Sequence, residues 1–403
     1  MIRQSKPSAP RALGLYIHIP FCARKCPYCD FYSVTDLSQV DRYLAALIRQ
    51  IEEYAVAIEV YRVETVFFGG GTPSLLTNKQ WDRLFKALRK HINIAPDAEI
   101  TVEANPDSAS LKLFRKLRRL GVNRVSIGAQ SFDDGILKRI GRLHNATQAK
   151  AAVADARRAG IRNISLDLMF GLPGQTPQQF YDSLQQAVTL GVQHLSAYGL
   201  RVEEDTPFGR EGDALSIPDD DTWAEEYLEL VRLAHEAGYY QYEVSNFALP
   251  GMASRHNLKY WTMAEYLGLG PAAYSYLGNR RFGFAKDLER YCHTMEGGGE
   301  DIVVDLFEVA PKDALADTIM LSLRLTRGID TEEFARIFRR DFARMMGDKL
   351  QKYLDAEYMV SEGSRYRLTP QGFCLSNMIL ADLTDFGGEG EGPSSVAGNF
   401  AVL

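Results

Sequence analysis

Short runs of apolar residues alternate along the first half of the chain with longer amphipathic stretches. Apolar and β-branched residues dominate six runs that we predict to be strands, at 13–20, 64–70, 99–106, 124–130, 163–171 and 194–201. In the stretches between them, apolar residues recur every three or four positions, which predicts helices such as 40–58, 79–92 and 177–191. Such alternation is typical of parallel strands joined by right-handed crossovers, in a doubly wound sheet or a barrel. Because six units are fewer than a complete barrel needs, we expect an α/β fold with a partial (β/α)6 TIM-like barrel.

The second half of the chain has a different pattern. A further helix, a strand and an aromatic and glycine-rich stretch come next, at 222–237, 239–248 and 256–278. Three helical patterns and a two-stranded ribbon follow, at 312–325, 331–340, 342–354 and 359–372. This order predicts a small C-terminal winged-helix-like α+β module. Its basic residues are interspersed with acidic ones, so we expect it to pack against the barrel and not to bind DNA.

The patterns divide the chain into four expected segments. They are a partial barrel with a metal loop, an extension of the barrel, a C-terminal helical module and a flexible tail, at 1–205, 206–304, 305–385 and 386–403. The tail is expected because its sequence, GGEGEGPSSVAGN at 387–399, is of low complexity.

Composition and charge narrow the class of protein. With 46% hydrophobic and 24% charged residues, the chain can bury a large core, which argues against intrinsic disorder. A net charge of −6 gives no broad electrostatic attraction to nucleic acid or to anionic membranes. The N-terminus has no apolar segment typical of a secretory signal, and no run approaches the ~20 apolar residues of a membrane span. We therefore expect a soluble cytoplasmic protein.

The five cysteines are the first residues that indicate a chemical function. Cys22, Cys26 and Cys29 lie within eight residues, whereas Cys292 and Cys374 are far apart and are expected to be structural. An odd number with such clustering is typical of a reduced intracellular protein that binds a metal. The cluster directly follows the first predicted strand, where functional loops of parallel α/β folds gather.

Two kinds of metal site fit three clustered thiolates. Three cysteines on a four-iron, four-sulfur cluster leave one iron open for an exchangeable ligand. The alternative is a zinc site, which would take His18 or a distant histidine as its fourth ligand. The spacing CxxxCxxC favours the iron–sulfur cluster, and we expect His18 to orient the loop or to bond to the backbone.

Polar residues at other strand ends would face the same mouth of the barrel. Gly69, Gly70 and Gly71 follow the second strand with Thr72, and glycine N–H and C=O groups can approach a charged ligand closely. Three successive strands end with a polar residue in an apolar run, at Glu103, Gln130 and Asp167. Arg142 can bind a carboxylate with two hydrogen bonds. A tight turn, a helix cap or a surface arginine would explain each alone, but together they predict a binding site.

The cysteine motif resembles that of the radical S-adenosylmethionine superfamily. The resemblance implies a [4Fe-4S] cluster whose open iron binds S-adenosylmethionine, which electron transfer then cleaves to a 5′-deoxyadenosyl radical. A dry, enclosed site suits this chemistry.

The order of the motifs is similar to that of the anaerobic coproporphyrinogen III oxidase-like, or HemN-like, family. YIHIPFC, GGGTP, VEANP, AQSF, RLHN and DLMFGLPGQT occur in the family's order, and the resemblance covers about residues 13–375. It implies contacts to the cluster-bound S-adenosylmethionine from Tyr16, Gly70 and Glu103. It implies contacts to a second S-adenosylmethionine, or to its replacement, from Gly71, Thr72, Gln130, Arg142 and Asp167. Tyr28 and Gly199 match more weakly.

Two departures from the oxidase resemble the HemW subgroup of haem chaperones instead. Phe31 stands where the oxidase has a fourth cysteine, and only 21 residues precede Cys22, so a long N-terminal arm is not expected. The same subgroup carries an HNxxYW motif, present here at 256–261.

That motif suits a porphyrin, because the His256 imidazole can ligate iron and Tyr260 and Trp261 offer flat apolar surfaces. The alternative is structural: His256 and Asn257 cap a helix, and the two aromatic residues enter the core. Further haem candidates are His144 and His293. The family usually has histidine at Tyr274, so we expect no haem contact there.

The resemblance implies a haem chaperone that binds a [4Fe-4S] cluster, S-adenosylmethionine and haem. Its expected partners are a haem acceptor such as a respiratory cytochrome, with peripheral membrane contact through that acceptor, and an electron donor such as flavodoxin or ferredoxin. Nucleic acid is not an expected partner. One alternative is an enzyme of the same branch, either an oxygen-independent coproporphyrinogen III oxidase or a methyltransferase that uses two S-adenosylmethionines. A zinc-bound scaffold is the other.

Overall fold

The structure is a computed structural model that describes residues 10–299 and 301–386. Most of the predicted tail therefore lies outside the described residues. The strands are β1 Arg11–Ile19, β2 Tyr61–Gly70, β3 Ile94–Ala104, β4 Arg124–Gln130, β5 Asn163–Phe170, β6 His194–Gly199, β7 Tyr240–Gln241, β8 Asn246–Ala248, β9 Tyr266–Leu269, β10 Tyr274–Leu277, β11 Arg280–Phe284, β12 Val303–Glu308, β13 Ile329–Asp330, β14 Met359–Glu362 and β15 Arg365–Leu368.

The helices alternate with these strands in the first half of the chain. They are α1 Val40–Ala57, α2 Asn78–His91, α3 Leu111–Arg119, α4 Asp134–Arg139, α5 Ala146–Arg158, α6 Pro177–Thr189, α7 Pro207–Glu211, α8 Asp220–Glu236, α9 Arg255–Trp261, α10 Leu288–Met295, α11 Pro311–Ser322, α12 Thr331–Phe338, α13 Phe342–Met346, α14 Asp348–Asp355, α15 Pro370–Cys374 and α16 Ser376–Thr384. Short 3₁₀ helices lie at Leu37–Gln39, Pro73–Leu75 and Gly212–Ala214.

Local sequence explains where several helices begin. The Thr77 side chain accepts a hydrogen bond from Gln80 N, and the Gln80 side chain bonds back to Thr77 N, which makes a capping box at the start of α2. α6 begins with the same reciprocal pair, Thr176 and Gln179, followed by proline at its first position. Such caps satisfy backbone N–H groups that lack a partner inside the helix.

The chain forms two compact units, each built from three segments. The first contains the described parts of Met1–Asp167, Arg201–Leu215 and Ala264–Glu308. Its strands lie in the order β12-β11-β10-β9-β1-β2-β3-β4-β5, and the pairs β1–β2, β2–β3 and β3–β4 are parallel. The expected α/β fold with parallel strands is thereby confirmed. β9 pairs with β1 in parallel, so the aromatic and glycine-rich stretch supplies a strand that its pattern did not predict.

The second unit contains Leu168–Leu200, Ser216–Met263 and the described part of Val309–Leu403. The division between the units falls within β5, after Asp167, and the further strands of the second unit lie in the order β6-β8-β7. A separate antiparallel sheet, β13-β15-β14, accompanies helices α11–α16 and confirms the small C-terminal α+β module.

Three details of this unit differ from the predictions. The strand expected at 239–248 is a hairpin of two short strands, β7 and β8. The helix expected at 342–354 is broken by Gly347, whose φ of 52° leaves the helical region, into α13 and α14. The expected ribbon ends at Leu368, because Thr369 caps the next helix and Pro370 occupies its first position.

Candidate functional site

The three clustered cysteines lie in a loop that leaves the end of β1. Cys22 N donates to Val34 O at 3.0 Å, and Val34 N donates to Pro20 O at 2.7 Å, so the loop is closed at its base. Phe21 is fully buried there, with its ring centroid 5.4 Å from that of Tyr43. The base of the loop is therefore anchored in the core, whereas Cys22, Cys26 and Cys29 remain half-buried.

All three thiols are free, and two of them receive a hydrogen bond from a polar side chain. Thr72 Oγ1 donates to Cys22 Sγ at 3.5 Å, and Arg142 Nη1 donates to Cys26 Sγ at 3.7 Å. Burial, with a smaller contribution from the charges of Cys26 and Cys22, raises the pKa of Cys29 to about 11. The three thiols are thus close enough to influence one another's charge. Among the described residues, no three His, Cys, Asp or Glu side chains surround a position for a single metal ion.

His18 holds the loop through one ring nitrogen and bonds to Tyr16 on its own strand through the other. Nε2 donates to Tyr32 O at 2.9 Å, which leaves Nδ1 to accept from the Tyr16 hydroxyl at 3.1 Å. Burial lowers the pKa of His18 to about 4, so the ring is neutral. The prediction that His18 bonds to the backbone is confirmed. Neither nitrogen is directed at the thiols, which argues against His18 as a zinc ligand.

Gly70, the last residue of β2, and Gly71, which follows it, pack against His18 and the base of the cysteine loop. A β-carbon on Gly71 would lie 2.6 Å from Phe21 O, and one on Gly70 would lie 2.6 Å from His18 Cε1. Gly71 N donates to Ile19 O at 2.8 Å, Thr72 N to Phe21 O at 2.7 Å, and Gly70 N to a Glu103 carboxylate oxygen at 3.2 Å. These N–H groups are therefore bonded within the chain. The small size of the glycines lets the cysteine loop and His18 lie close to the end of β2.

Acidic groups from two strands converge beside this segment. Glu103 on β3 is paired in register with Ser126 on β4, whose hydroxyl bonds to Asp167 on β5. Burial and, second, the charge of Asp167 raise the pKa of Glu103 to about 8. Burial and the charge of Glu103 also raise the pKa of Tyr16 well above its ordinary value. The site therefore disfavours a second negative charge beside Asp167, and a cationic ligand group would stabilise the ionised form of Glu103.

Arg142 and Gln130 approach the same glycine of β4, Gly128, and Arg142 also reaches Cys26. Arg142 Nη2 donates to Asn105 Oδ1 at 2.7 Å and to Gly128 O at 2.8 Å. Gln130 ends β4 with a φ of 64°, a left-handed conformation uncommon for a side chain other than glycine. Such backbone strain is found most often at binding sites, where surrounding contacts hold it in place.

Tyr28 is held in the loop by the segment at 201–215. Phe208 N donates to Pro27 O at 3.0 Å, and the rings of Tyr28 and Phe208 are 6.5 Å apart. Burial raises the pKa of Tyr28. Phe31, two residues beyond Cys29, is 43% exposed and points away from the core.

Gly199 and His256 belong to the second unit. A β-carbon on Gly199 would lie 2.5 Å from the Trp223 ring, so this glycine has a packing reason of its own. His256 is buried at 1% exposure, with Nε2 hydrogen bonded to the Tyr260 hydroxyl at 2.9 Å. The side chain that caps α9 is Ser254, which corrects the structural alternative in which His256 and Asn257 form the cap. Trp261 does enter the core, against Leu321 and Leu325.

The two further histidine candidates lie in the first unit. His144 is buried, and one ring nitrogen bonds to Ala129 O at 3.1 Å, whereas His293 is exposed on α10. Tyr274 donates its hydroxyl to Asp305 at 2.8 Å.

Two residues of the site were missed by the sequence analysis, Asn105 and Ser126. Asn105 stands in VEANP directly after β3, where its position at a strand end was an available signal. Ser126 is an interior residue of an almost wholly buried strand, and its short polar side chain gave no distinct signal.

Comparison with known proteins defines the class of this fold and site. Residues 16–187 match the family model of the radical SAM superfamily, and residues 309–375 match that of the HemN C-terminal domain. The coproporphyrinogen III oxidase (HemN) of Escherichia coli, a radical SAM enzyme, superposes with a TM-score of 0.82 at 24% identity. That match covers 94% of this chain and 91% of the oxidase, and it shows a common fold. The class is therefore a radical SAM protein with a HemN-type C-terminal domain.

Closer relatives define the family. The Bacillus subtilis protein named heme chaperone HemW is 37% identical over 91% of this chain and 97% of its own length. The Lactococcus lactis protein of the same name is 33% identical over 91% of this chain and 95% of its own length. The chain belongs to the HemW family of HemN-like radical SAM proteins. Among the residues that the structure describes, no helix is long and apolar enough to span a membrane.

Proposed function

We propose that the protein is a haem chaperone that carries a [4Fe-4S] cluster and S-adenosylmethionine and delivers haem to an acceptor protein. The observation that carries this proposal is the nearly full-length match to relatives named heme chaperone HemW. Phe31, in place of the fourth cysteine of the oxidase, supports the chaperone over the enzyme. The expected acceptors are respiratory cytochromes, which a cytoplasmic chaperone would meet through peripheral contact with the membrane, and the expected electron donor is flavodoxin or ferredoxin.

The thiols of Cys22, Cys26 and Cys29 fit the role of cluster ligands. They share one loop, and two of them receive hydrogen bonds from Thr72 and Arg142. Such donors stabilise the negative charge of metal-bound thiolate. Tetrahedral zinc would need a fourth ligand, and the best-placed histidine, His18, has both nitrogens bonded elsewhere.

The two neighbouring carboxyl groups, Glu103 and Asp167, fit the cationic amino group of S-adenosylmethionine. When bound to a reduced cluster, S-adenosylmethionine supplies radical chemistry. We assign Tyr16, Gly70 and Glu103 to the molecule at the cluster. The residues assigned to a second molecule, or to its replacement, are Gly71, Thr72, Gln130, Arg142 and Asp167. A positive group between Glu103 and Asp167 would favour ionised Glu103 and so lower its raised pKa. Tyr28 and Gly199 remain weaker candidates.

For haem we propose that His256 would be a ligand of the iron. Ligation through Nε2 requires that the imidazole leave the Tyr260 hydroxyl, and ligation through either nitrogen requires that the buried ring become exposed. Haem binding at this position would therefore accompany a local movement of α9.

The decisive experiment is a haem titration of protein reconstituted anaerobically with iron and sulfide. We expect about four irons per chain, a Soret band that saturates near one haem per chain, and transfer of that haem to an apo-cytochrome. Cys22→Ala should abolish the iron signal, and His256→Ala should weaken haem binding. His235→Ala, an exposed histidine of the same unit, is the matched control.

Other outcomes would overturn the proposal. Zinc in place of iron would favour the scaffold alternative. Multiple-turnover decarboxylation of coproporphyrinogen III, or methyl transfer, coupled to 5′-deoxyadenosine would identify an enzyme. Unchanged haem binding in His256→Ala would remove His256 from the haem site.

A further inference from the structure

Asn105 connects two side chains that reach different cysteines. Its Oδ1 accepts from Arg142 Nη2 at 2.7 Å, and its Nδ2 donates to Thr72 Oγ1 at 3.0 Å. A guanidinium has only donors, so the carboxamide oxygen must face Arg142 and the amide nitrogen must face Thr72. The backbone of Asn105 is held as well: its N–H donates to Ser74 Oγ at 3.1 Å, and its carbonyl accepts from Ala109 N at 2.9 Å.

The orientation of Asn105 determines where the Thr72 proton goes. A hydroxyl has a single proton, and Thr72 Oγ1 accepts from Asn105, so its proton is available for Cys22 Sγ at 3.5 Å. On the other side, Asn105 and the Gly128 carbonyl hold Arg142 Nη2, which directs Nη1 to Cys26 Sγ at 3.7 Å. One carboxamide thus orients the donors of two sulfur atoms.

Neither a carboxylate nor an apolar side chain of similar size performs both tasks. A carboxylate has no donor, so aspartate at this position would accept the Thr72 proton and take it from Cys22. An apolar side chain would leave both Arg142 and Thr72 without their partner. Asparagine supplies one acceptor and one donor at the required separation.

We propose that Asn105 is a positioning residue that, through Thr72 and Arg142, raises the reduction potential of the cluster bound by Cys22, Cys26 and Cys29. This inference rests on the proposed function, because it requires a cluster in the loop. Hydrogen bonds to cysteine sulfur stabilise the reduced cluster more than the oxidised one, since the reduced cluster carries more negative charge. Loss of either bond therefore makes the cluster harder to reduce.

The test compares the midpoint potential of reconstituted wild-type protein with that of Asn105→Asp and Asn105→Leu, all without S-adenosylmethionine. Both variants should have a lower midpoint potential at unchanged iron and sulfide content. The matched control is Asn123→Asp, because Asn123 also uses both ends of its carboxamide, with Ile100 N and Ala98 O each at 2.8 Å. The control should keep the wild-type potential.

A double variant tests the route through Thr72. Thr72→Val should lower the potential, and adding Asn105→Asp should lower it by less than the sum of the single shifts. Pulsed paramagnetic resonance of the reduced cluster should lose an exchangeable proton coupling in Thr72→Val and in Asn105→Asp. Asn105→Ser, which keeps a small polar group, provides the same comparison if Asn105→Leu assembles no cluster.

Failure of the proposed function and failure of the role of Asn105 would give different results. Wild-type protein without iron would contradict the proposed function itself. A fully assembled cluster whose potential is the same in wild type, Asn105→Asp and Asn105→Ser would contradict the role of Asn105 alone. Additive shifts in the double variant would contradict its action through Thr72.

Discussion

The Trp223 ring occupies the space above Gly199, where a β-carbon would lie 2.5 Å from its Cζ2 atom. Trp223 in turn stacks on Tyr227, with ring centroids 5.8 Å apart and planes 9° from parallel. The end of β6 and the start of α8 therefore share one packed aromatic layer in the second unit.

Gly199→Ala should destabilise the protein by about 1–3 kcal/mol, because the added methyl group overpacks this layer. The measurement is urea unfolding followed by tryptophan fluorescence. Gly299→Ala is the control, since nothing lies within 4 Å of a β-carbon there, and it should change stability by less than about 0.5 kcal/mol. Equal stability of the two variants would show that Gly199 is not required by packing.

Gly70→Ala should reduce the iron bound per chain and destabilise the fold by roughly 1–3 kcal/mol. Its φ of 106° disfavours any β-carbon, and the new methyl group would lie 2.6 Å from the His18 ring that holds the cysteine loop. Iron analysis and urea unfolding measure the two effects.

A matched glycine separates backbone strain from collision. Gly121 has a φ of 101°, but a β-carbon there would come no closer than 3.9 Å to Ile100. Gly121→Ala should therefore lose stability without losing iron. Loss of iron from both variants would mean that the effect is not specific to the cysteine loop.

The buried carboxyl of Glu226 should make stability depend on pH. Burial raises its pKa from 4.5 to about 7, against the opposing hydrogen bond from Gly171 N. Between these two pKa values, a folded chain still holds a proton on Glu226, whereas an unfolded chain has released it. Raising the pH through this window therefore lowers the free energy of unfolding, by about 2–3 kcal/mol in total.

Glu226→Gln removes that proton. The variant should gain stability relative to wild type between about pH 5 and pH 8, as measured by urea unfolding at both values. Glu225→Gln, an exposed neighbour on the same helix, should show no such gain. A wild-type chain whose stability does not fall in this window more than that of Glu226→Gln would contradict the assignment.

Tyr260→Phe should strengthen haem binding about fivefold if His256 is the ligand, because its ring nitrogen no longer has to leave a hydroxyl 2.9 Å away. This figure corresponds to a typical net hydrogen bond of about 1 kcal/mol. Haem titration in the Soret region measures the change, with His256→Ala/Tyr260→Phe as control. If the double variant binds haem as well as Tyr260→Phe, another residue is the ligand.

Much of the first half of the fold could be predicted from local pattern. β4 has the predicted bounds, 124–130, because the run RVSIGAQ combines β-branched Val125 and Ile127 with small residues that a buried strand accommodates. The positions of Glu103, Gln130 and Asp167 on three successive strands followed from the same pattern. β9 was missed because its four residues, YLGL, are too short for a recognisable period and are bounded by aromatic and glycine residues.

The sequence by itself determined the elements of the α/β fold and the spacing of three cysteines in one loop, because both depend on residues close together in the chain. The tertiary structure decided which donors meet those cysteines: Arg142 reaches Cys26 across 116 residues, and Thr72 reaches Cys22 across 50. It also decided that Asn105 orients both donors and that the side chain of His256 is buried. Hydrogen bonds between distant segments depend on how strands and loops pack together, and that packing leaves no periodic trace in the sequence.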